Sequence, residues 1–177
     1  MRRLRDPLLR LAFRAGYRVL RVWWFAARPT VRGVKCVLVR DGEVLLVRHT
    51  YGNRRRWELP GGGVKRRERP LDAARREIRE ELGIEVRDWT ALGDLFERID
   101  GKRDRLWCFS AEIAGRELEL DRAELDDARW FPRDELPPAT AKYVTRIVAL
   151  GPPRAGPSAP RPAATGAPRP DSPPARG

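Results

Sequence analysis

The stretch from Pro60 to Gly83 constrains the fold more than any other part of the chain. Three consecutive glycines, Gly61, Gly62 and Gly63, follow Pro60, and such a run makes a poor interior for a helix or a strand. From Pro70 onward the apolar residues Leu71, Ala74, Ile78 and Leu82 recur at helical spacing, and Gly83 supplies a stop. The pattern predicts a helix over 70–82 entered through a glycine loop. Strand-rich runs lie on both sides. Residues 34–39 and 43–47 are joined by Asp41-Gly42, a turn pair that favours a hairpin. Further strands are expected at 57–59, 84–86, 91–97, 105–113 and 128–131, with a last helix over 139–150. Strands and helices mix without a repeating βαβ unit. The expected class is α/β, a mixed sheet with helices packed on it.

The formal net charge of +12 is unevenly spread along the chain. Residues 1–30 carry eight Arg against Asp6, residues 151–177 carry four Arg against Asp171, and residues 31–150 hold only +2 of the total. Three regions follow: a basic amphipathic N-terminal helix over 1–30, a nearly balanced folded domain over 31–150 and a tail over 151–177. In the first, Asp6 suits an N-cap, Pro7 the first helical position and Pro29 the end. Arg10, Arg14, Arg18 and Arg21 recur along one side, and Leu9, Phe13, Tyr17, Leu20 and Trp24 along another. A helix lying on an anionic membrane surface looks like this. So does a helix that packs its stripe on the domain or on a second subunit. The tail holds nine of the sixteen prolines and no aromatic or large aliphatic residue, so it is expected to be disordered.

No run is apolar for long enough to span a membrane, and Arg interrupts the first residues too often for a signal peptide. The expected location is cytoplasmic, with membrane association through residues 1–30 as its variant. Cys36 and Cys108 sit inside apolar runs and are expected to be buried and reduced. His49 is the single histidine and reads as structural, which leaves triad or multi-histidine zinc chemistry without material.

Glu77, Glu80 and Glu81 crowd the end of the predicted helix. Helical geometry places all three within an arc of about 100°, beside the apolar stripe and outside it. As plain surface this is unfavourable. Like charges four residues apart repel by a few tenths of a kcal/mol, and acids near a helix C-terminus oppose its dipole by roughly 0.3–1 kcal/mol each. Arg75, Arg76 and Arg79 soften the penalty. A hard divalent cation reverses its sign, because clustered carboxylate oxygens are what Mg²⁺ and Mn²⁺ prefer. A solvated charged helix face is the competing reading of the glutamates alone.

Their context is more specific. Gly62 is followed, after five residues, by Glu68 and, after seven more, by Arg76-Glu77-Ile78-Arg79-Glu80-Glu81-Leu82-Gly83-Ile84. This resembles the Nudix box, G-x5-E-x7-R-E-U-x-E-E-x-G-U with U a bulky aliphatic residue, and every defining position is met. Trp57-Glu58-Leu59-Pro60-Gly61-Gly62 is similar to the strand and loop that enter such a box, and Trp130-Phe131-Pro132 to the closing strand. The likeness covers residues 31–150 and implies a Nudix-type mixed sheet. It implies that Glu77, Glu80 and Glu81 bind Mg²⁺, with Mn²⁺ as an alternative, and that the Gly62 carbonyl adds an oxygen. Arg76 would orient the glutamates, with Glu68 paired to it. The proton of an attacking water would pass to Glu80 or Glu81, or to an acid outside the box, for which Glu124, Asp126 and Asp127 are candidates. One departure is Arg69, where a Ser or Thr would cap the helix better.

The activity so implied is Mg²⁺-dependent hydrolysis of the phosphoanhydride of a nucleoside diphosphate linked to another moiety, of the ADP-ribose, nucleoside-diphosphate-sugar or nucleoside triphosphate class. An RNA 5′ pyrophosphohydrolase is an alternative suggested by the basic ends. A non-catalytic nucleotide-binding domain is another, although it predicts a damaged glutamate cluster. The expected partner is a nucleotide-type small molecule, with membrane contact or homodimerisation through residues 1–30 and no specific nucleic-acid binding. Substrate selection is expected on residues 49–56 and 100–105, with Tyr51, Trp57 and Trp107 as candidates for stacking on a base.

Overall fold

A computed structural model describes residues 11–13, 15–17, 19–20, 30–99, 102–113, 115 and 117–151. The tail beyond Gly151 lies outside them, as do Asp6, Pro7, Pro29 and the arginines at 10, 14, 18 and 21. Five strands, β1 (Thr30–Arg40), β2 (Glu43–His49), β3 (Thr90–Ile99), β4 (Lys102–Glu112) and β5 (Leu125–Pro132), make one sheet in the order β3-β4-β1-β2-β5. β1 and β4 run parallel, from Thr30 opposite Arg103 to Val39 opposite Glu112, and the other neighbours are antiparallel. The sheet is mixed, as its irregular order of elements predicts.

Alternation along the strands supplies two apolar faces. Val34, Cys36 and Leu38 of β1 pack with Ala74, Ile78 and Leu82 of helix α1 (Pro70–Leu82). Val37 of β1 and Val44 and Leu46 of β2 pack with Val144, Ile147 and Val148 of helix α2 (Lys142–Leu150). One helix therefore covers each face. Cys36 and Cys108 are buried free thiols.

The Asp41-Gly42 turn closes the first hairpin with φ values of 51° and 82°. β1 and β2 pair directly only at Val39–Val44 and Arg40–Glu43. Farther on, the segment that follows β2 fills the space between them. Glu58 pairs with Val47, Cys36 N–H donates to Pro60 O at 3.0 Å and Val34 N–H to Gly62 O at 2.9 Å. The glycine loop is thus stitched into the sheet and leads directly into α1.

Three expectations need correction. Residues 84–86 form no strand, although Ile84 is buried. The Leu82 and Glu81 carbonyls accept from Glu119 N–H at 3.0 Å and Asp121 N–H at 2.9 Å, and Gly83, at φ 68°, turns the chain before any ladder partner is met. Residues 57–59 make single pairings, Trp57 with Thr140 and Glu58 with Val47, in place of a full strand. That pairing also delays the last helix, because Ala139 O and Ala141 N–H both bond to Trp57, so α2 starts at Lys142. The weak cap of α1 is as expected: Arg69 makes no side-chain cap.

The described residues between 11 and 20 are helical. Phe13 and Tyr17 pack on Tyr51 of the domain, with ring centroids 6.2 and 5.2 Å away. Of the readings open for this stripe, packing on the domain is what these two rings display. No described helix is long and apolar enough to cross a membrane.

Candidate active site

The site is assembled by the glycine loop and the last two turns of α1. Gly61 has φ 125°, and a Cβ there would lie 2.4 Å from the Val34 carbonyl oxygen, so only glycine fits. A Cβ on Gly62 would lie 2.6 Å from the Glu77 carboxylate carbon. The missing side chain lets that carboxylate rest directly against the loop.

Arg76 organises the acids. Its Nε and Nη2 form a two-pronged pair with Glu68 at 2.9 and 3.0 Å. Nη1 donates to Glu77 at 2.7 Å and to Glu80 at 3.1 Å, and Nη2 also donates to Gly63 O at 2.9 Å. All five guanidinium N–H groups are engaged. Glu68 also accepts from Lys65 N–H at 2.8 Å, and its bonds to Arg76 and Lys65 hold its carboxyl down at about 2. Glu68 in turn raises Arg76, so the pair stays charged.

The three helix glutamates have different surroundings. Glu80 is exposed. Glu77 is mostly buried, and burial raises its pKa against the opposing pull of Arg76. Glu81 is 2% exposed, and its Oε2 accepts from Gly61 N–H at 2.9 Å. Burial pushes the Glu81 carboxyl up to about 8, with Lys35 and the Gly61 bond pulling the other way. It was expected outside the apolar stripe and is instead as buried as the stripe itself. Of the three candidate acids beyond the box, Asp127 bonds to Arg48 at 2.9 Å and Asp126 pairs with Arg54 at 3.4 Å. Glu124 has its pKa raised by burial and then by the negative charges of Asp121, Glu77 and Glu80. The Gly62 carbonyl, expected to add an oxygen to a metal site, accepts from Val34 N–H at 2.9 Å and so keeps one lone pair.

Beside the loop is a cavity of about 600 Å³, lined among others by Gly61, Gly62, Lys35, His49, Tyr51 and Arg56. Lys35 donates to Leu59 O at 2.9 Å and lies 3.8 Å from Glu58, which also accepts from the Tyr143 hydroxyl at 3.1 Å. Burial alone would lower the Lys35 ammonium, but Tyr143, Glu58 and Glu81 outweigh it and keep it charged. Sequence reasoning passed over Lys35. Its signal was a lone cation inside the apolar run 34–39, on the face of Val37. Of the expected stacking residues, Tyr51 lines the cavity, whereas Trp57 is core, edge-on to Phe131, and Trp107 is flanked by the guanidiniums of Arg32 and Arg105. Residues 102–105 are strand β4 rather than loop, and Asp104 alone of them reaches the cavity.

A family model described as the NUDIX domain matches residues 29–149. The chain belongs to the Nudix family. The RNA pyrophosphohydrolase of Bartonella bacilliformis is 29% identical over 153 residues, spanning 70% of this chain and 89% of that protein. The nucleoside triphosphatase NudI of Escherichia coli is 31% identical over 120 residues, spanning 59% and 84%. The crystal structure of a MutT NUDIX hydrolase from Burkholderia pseudomallei is similar with a TM-score of 0.63 and 26% identity, covering 68% of this chain and 97% of that one. This Nudix chain is a pyrophosphohydrolase. Its Nudix box, Gly62 to Ile84, comes together as one loop and one helix, with Glu68, Arg76, Glu77 and Glu80 joined in a single hydrogen-bonded cluster and Glu81 anchored to the loop beside it.

Proposed function

We propose that this Nudix enzyme hydrolyses the phosphoanhydride of a nucleoside diphosphate linked to another moiety, of the ADP-ribose, nucleoside-diphosphate-sugar or nucleoside triphosphate class, with a divalent cation held by Glu77, Glu80 and Glu81. The observation that carries this reading is the imbalance of charge around Arg76. Its one positive charge is already matched by Glu68, yet Glu77 and Glu80 also lean on it.

The donor set suits a hard divalent ion: carboxylate oxygens, a free lone pair on the Gly62 carbonyl, and acids crowded against a glycine that leaves them room. Among the described residues no three acidic, thiol or imidazole groups share one coordination point. Arg76 holds Glu77 and Glu80, and Gly61 N–H holds Glu81. Mg²⁺, or Mn²⁺ in its place, supplies neutralisation of phosphoanhydride oxygens and acidification of a water when bound.

The chain's own residues do the rest. Glu68 and Arg76 fix the carboxylates that need fixing. Glu80, Glu81 or Glu124 accepts the proton of the attacking water, and the engagement of Asp126 and Asp127 by arginines favours Glu124 among the acids outside the box. Lys35 and Arg56 place positive charge along the cavity that takes the remainder of the substrate. The RNA 5′ end is a second reading, favoured by exposed Arg54 and Arg55 next to cavity-lining Arg56. Purified protein with Mg²⁺ is to be screened against nucleotide derivatives and a 5′-triphosphorylated RNA, with products resolved chromatographically. Metal-dependent release of a nucleoside monophosphate is expected. If no substrate in the panel turns over with Mg²⁺ or Mn²⁺, the proposal fails.

A further inference from the structure

The cavity beside the glycine loop has a second wall that does not belong to the box. Ala12, Phe13, Gly16, Tyr17 and Leu20 of the N-terminal helical residues line the same space as Gly61, Gly62 and Gly63. Phe13 lies nearly parallel to Tyr51, at 17° between planes, and Tyr17 is tilted on it at 39°. His49 continues the row, its ring centroid 5.0 Å from that of Tyr51. A glycine makes room for the row. Gly52 has φ 64°, and a Cβ there would come within 3.1 Å of the Tyr17 hydroxyl oxygen, so the phenol end of Tyr17 sits where only a glycine leaves it room. Gly16, by contrast, faces open space, with nothing within 4 Å of where a Cβ would stand.

We propose that the helical residues Ala12, Phe13, Gly16, Tyr17 and Leu20 are the roof of the substrate cavity and that Phe13 and Tyr17, seated on Tyr51, select substrates carrying a planar aromatic ring system. The inference rests on the nucleotide reading above and adds what recognises the base. A row of aromatic faces around a cavity is a surface on which a flat heterocycle stacks, whatever its edge pattern. The buried Nδ1 of His49 makes no hydrogen bond, and it offers one polar position to a ring edge. The phosphates belong at the other end, where the Gly61–Gly63 backbone and Lys35 lie. Phe13 and Tyr17, two members of the aromatic stripe, then act in recognition.

The test uses the full-length protein and binding rather than turnover. Titration calorimetry is to compare the four nucleoside 5′-monophosphates with ribose 5-phosphate, which differs only in lacking the base. At least one monophosphate should bind tenfold or more tightly than ribose 5-phosphate, about 1.4 kcal/mol. Tyr17→Ala and Phe13→Ala should each bring that ratio down by about tenfold, and Tyr17→Phe should restore it. Gly16→Leu is the safeguard against misfolding, since it removes no packing and improves helix propensity. It fills the cavity and should lower the ratio as well. A wild-type ratio near one, or a ratio unchanged in Gly16→Leu and Tyr17→Ala, overturns the proposal. Metal-dependent hydrolysis with no base preference would leave the enzymatic reading standing without the roof. A Tyr17-dependent preference without hydrolysis would leave the roof standing alone.

Discussion

The Glu81 carboxylate accepts a hydrogen bond from the Gly61 backbone N–H at 2.9 Å, and both groups are buried. One contact thereby ties the end of α1 to the loop that enters it. Glu81→Gln keeps size, shape and an oxygen that can still accept from Gly61. If Glu81 holds the divalent cation, turnover at saturating Mg²⁺ should fall by roughly a thousandfold, about 4 kcal/mol. Melting temperature in chelator should hold level or rise, because a neutral amide is cheaper to bury than an acid with other acids nearby. A variant that melts earlier while turning over normally would mean that the cluster is structural.

Arg76 and Glu68 should separate from Glu81 in the opposite sense. Arg76→Ala leaves the part-buried Glu68 and Glu77 carboxylates without their cation, and stability in chelator should drop by about 2–3 kcal/mol in a denaturant titration. Glu68→Gln keeps one acceptor for Arg76 and should cost about 1 kcal/mol, with a smaller loss of turnover than Glu81→Gln. Equal loss of turnover in the Glu68 and Glu81 variants would contradict the positioning role given to Glu68.

Adjacent glycines of the loop should differ sharply. Gly61→Ala drives a methyl to within 2.4 Å of the Val34 oxygen at a φ that L residues avoid, so a loss of more than about 3 kcal/mol is expected. Gly63→Ala meets nothing within 4 Å and should change stability by less than about 1 kcal/mol. Thermal melting of the two variants side by side decides the matter, and similar melting points would refute the stitched loop.

His49 gives a dependence on pH. Burial, and then the positive charge of Lys35, lower its pKa to about 4 from an ordinary 6.5. The unfolded chain binds this proton more readily than the folded one, so His49 leaves stability untouched above pH 6.5. It subtracts from stability increasingly as pH falls from 6.5 toward 4. His49→Gln should remove that component, and the difference in melting temperature between variant and wild type should grow in the variant's favour over this window. A constant difference from pH 7 to 4.5 would place His49 in a solvated site, as would an imidazole titrating near 6.5 by NMR.

Local pattern was enough for much of this protein. The apolar spacing of Leu71, Ala74, Ile78 and Leu82 marked α1 with its observed ends, because a helix closes its own hydrogen bonds and its period is written in consecutive residues. The spacing from Gly62 to Ile84 marked the box for the same reason, since loop and helix are contiguous. Residues 84–86 show the limit. Ile84 and Val86 suit a strand, but a strand exists only where a partner lies alongside, and Gly83 together with the 119–121 segment took the chain elsewhere. The burial of Glu81 was equally invisible, because it depends on Gly61 arriving 20 residues earlier in sequence and 2.9 Å away in space. The same holds for Lys35 against Glu58, and for Phe13 and Tyr17 against Tyr51. Contiguous pattern alone marked the acids and glycines from Gly62 to Ile84 as the candidates for chemistry. Only tertiary packing decided which of them are desolvated and what closes the cavity, since both depend on neighbours distant along the chain.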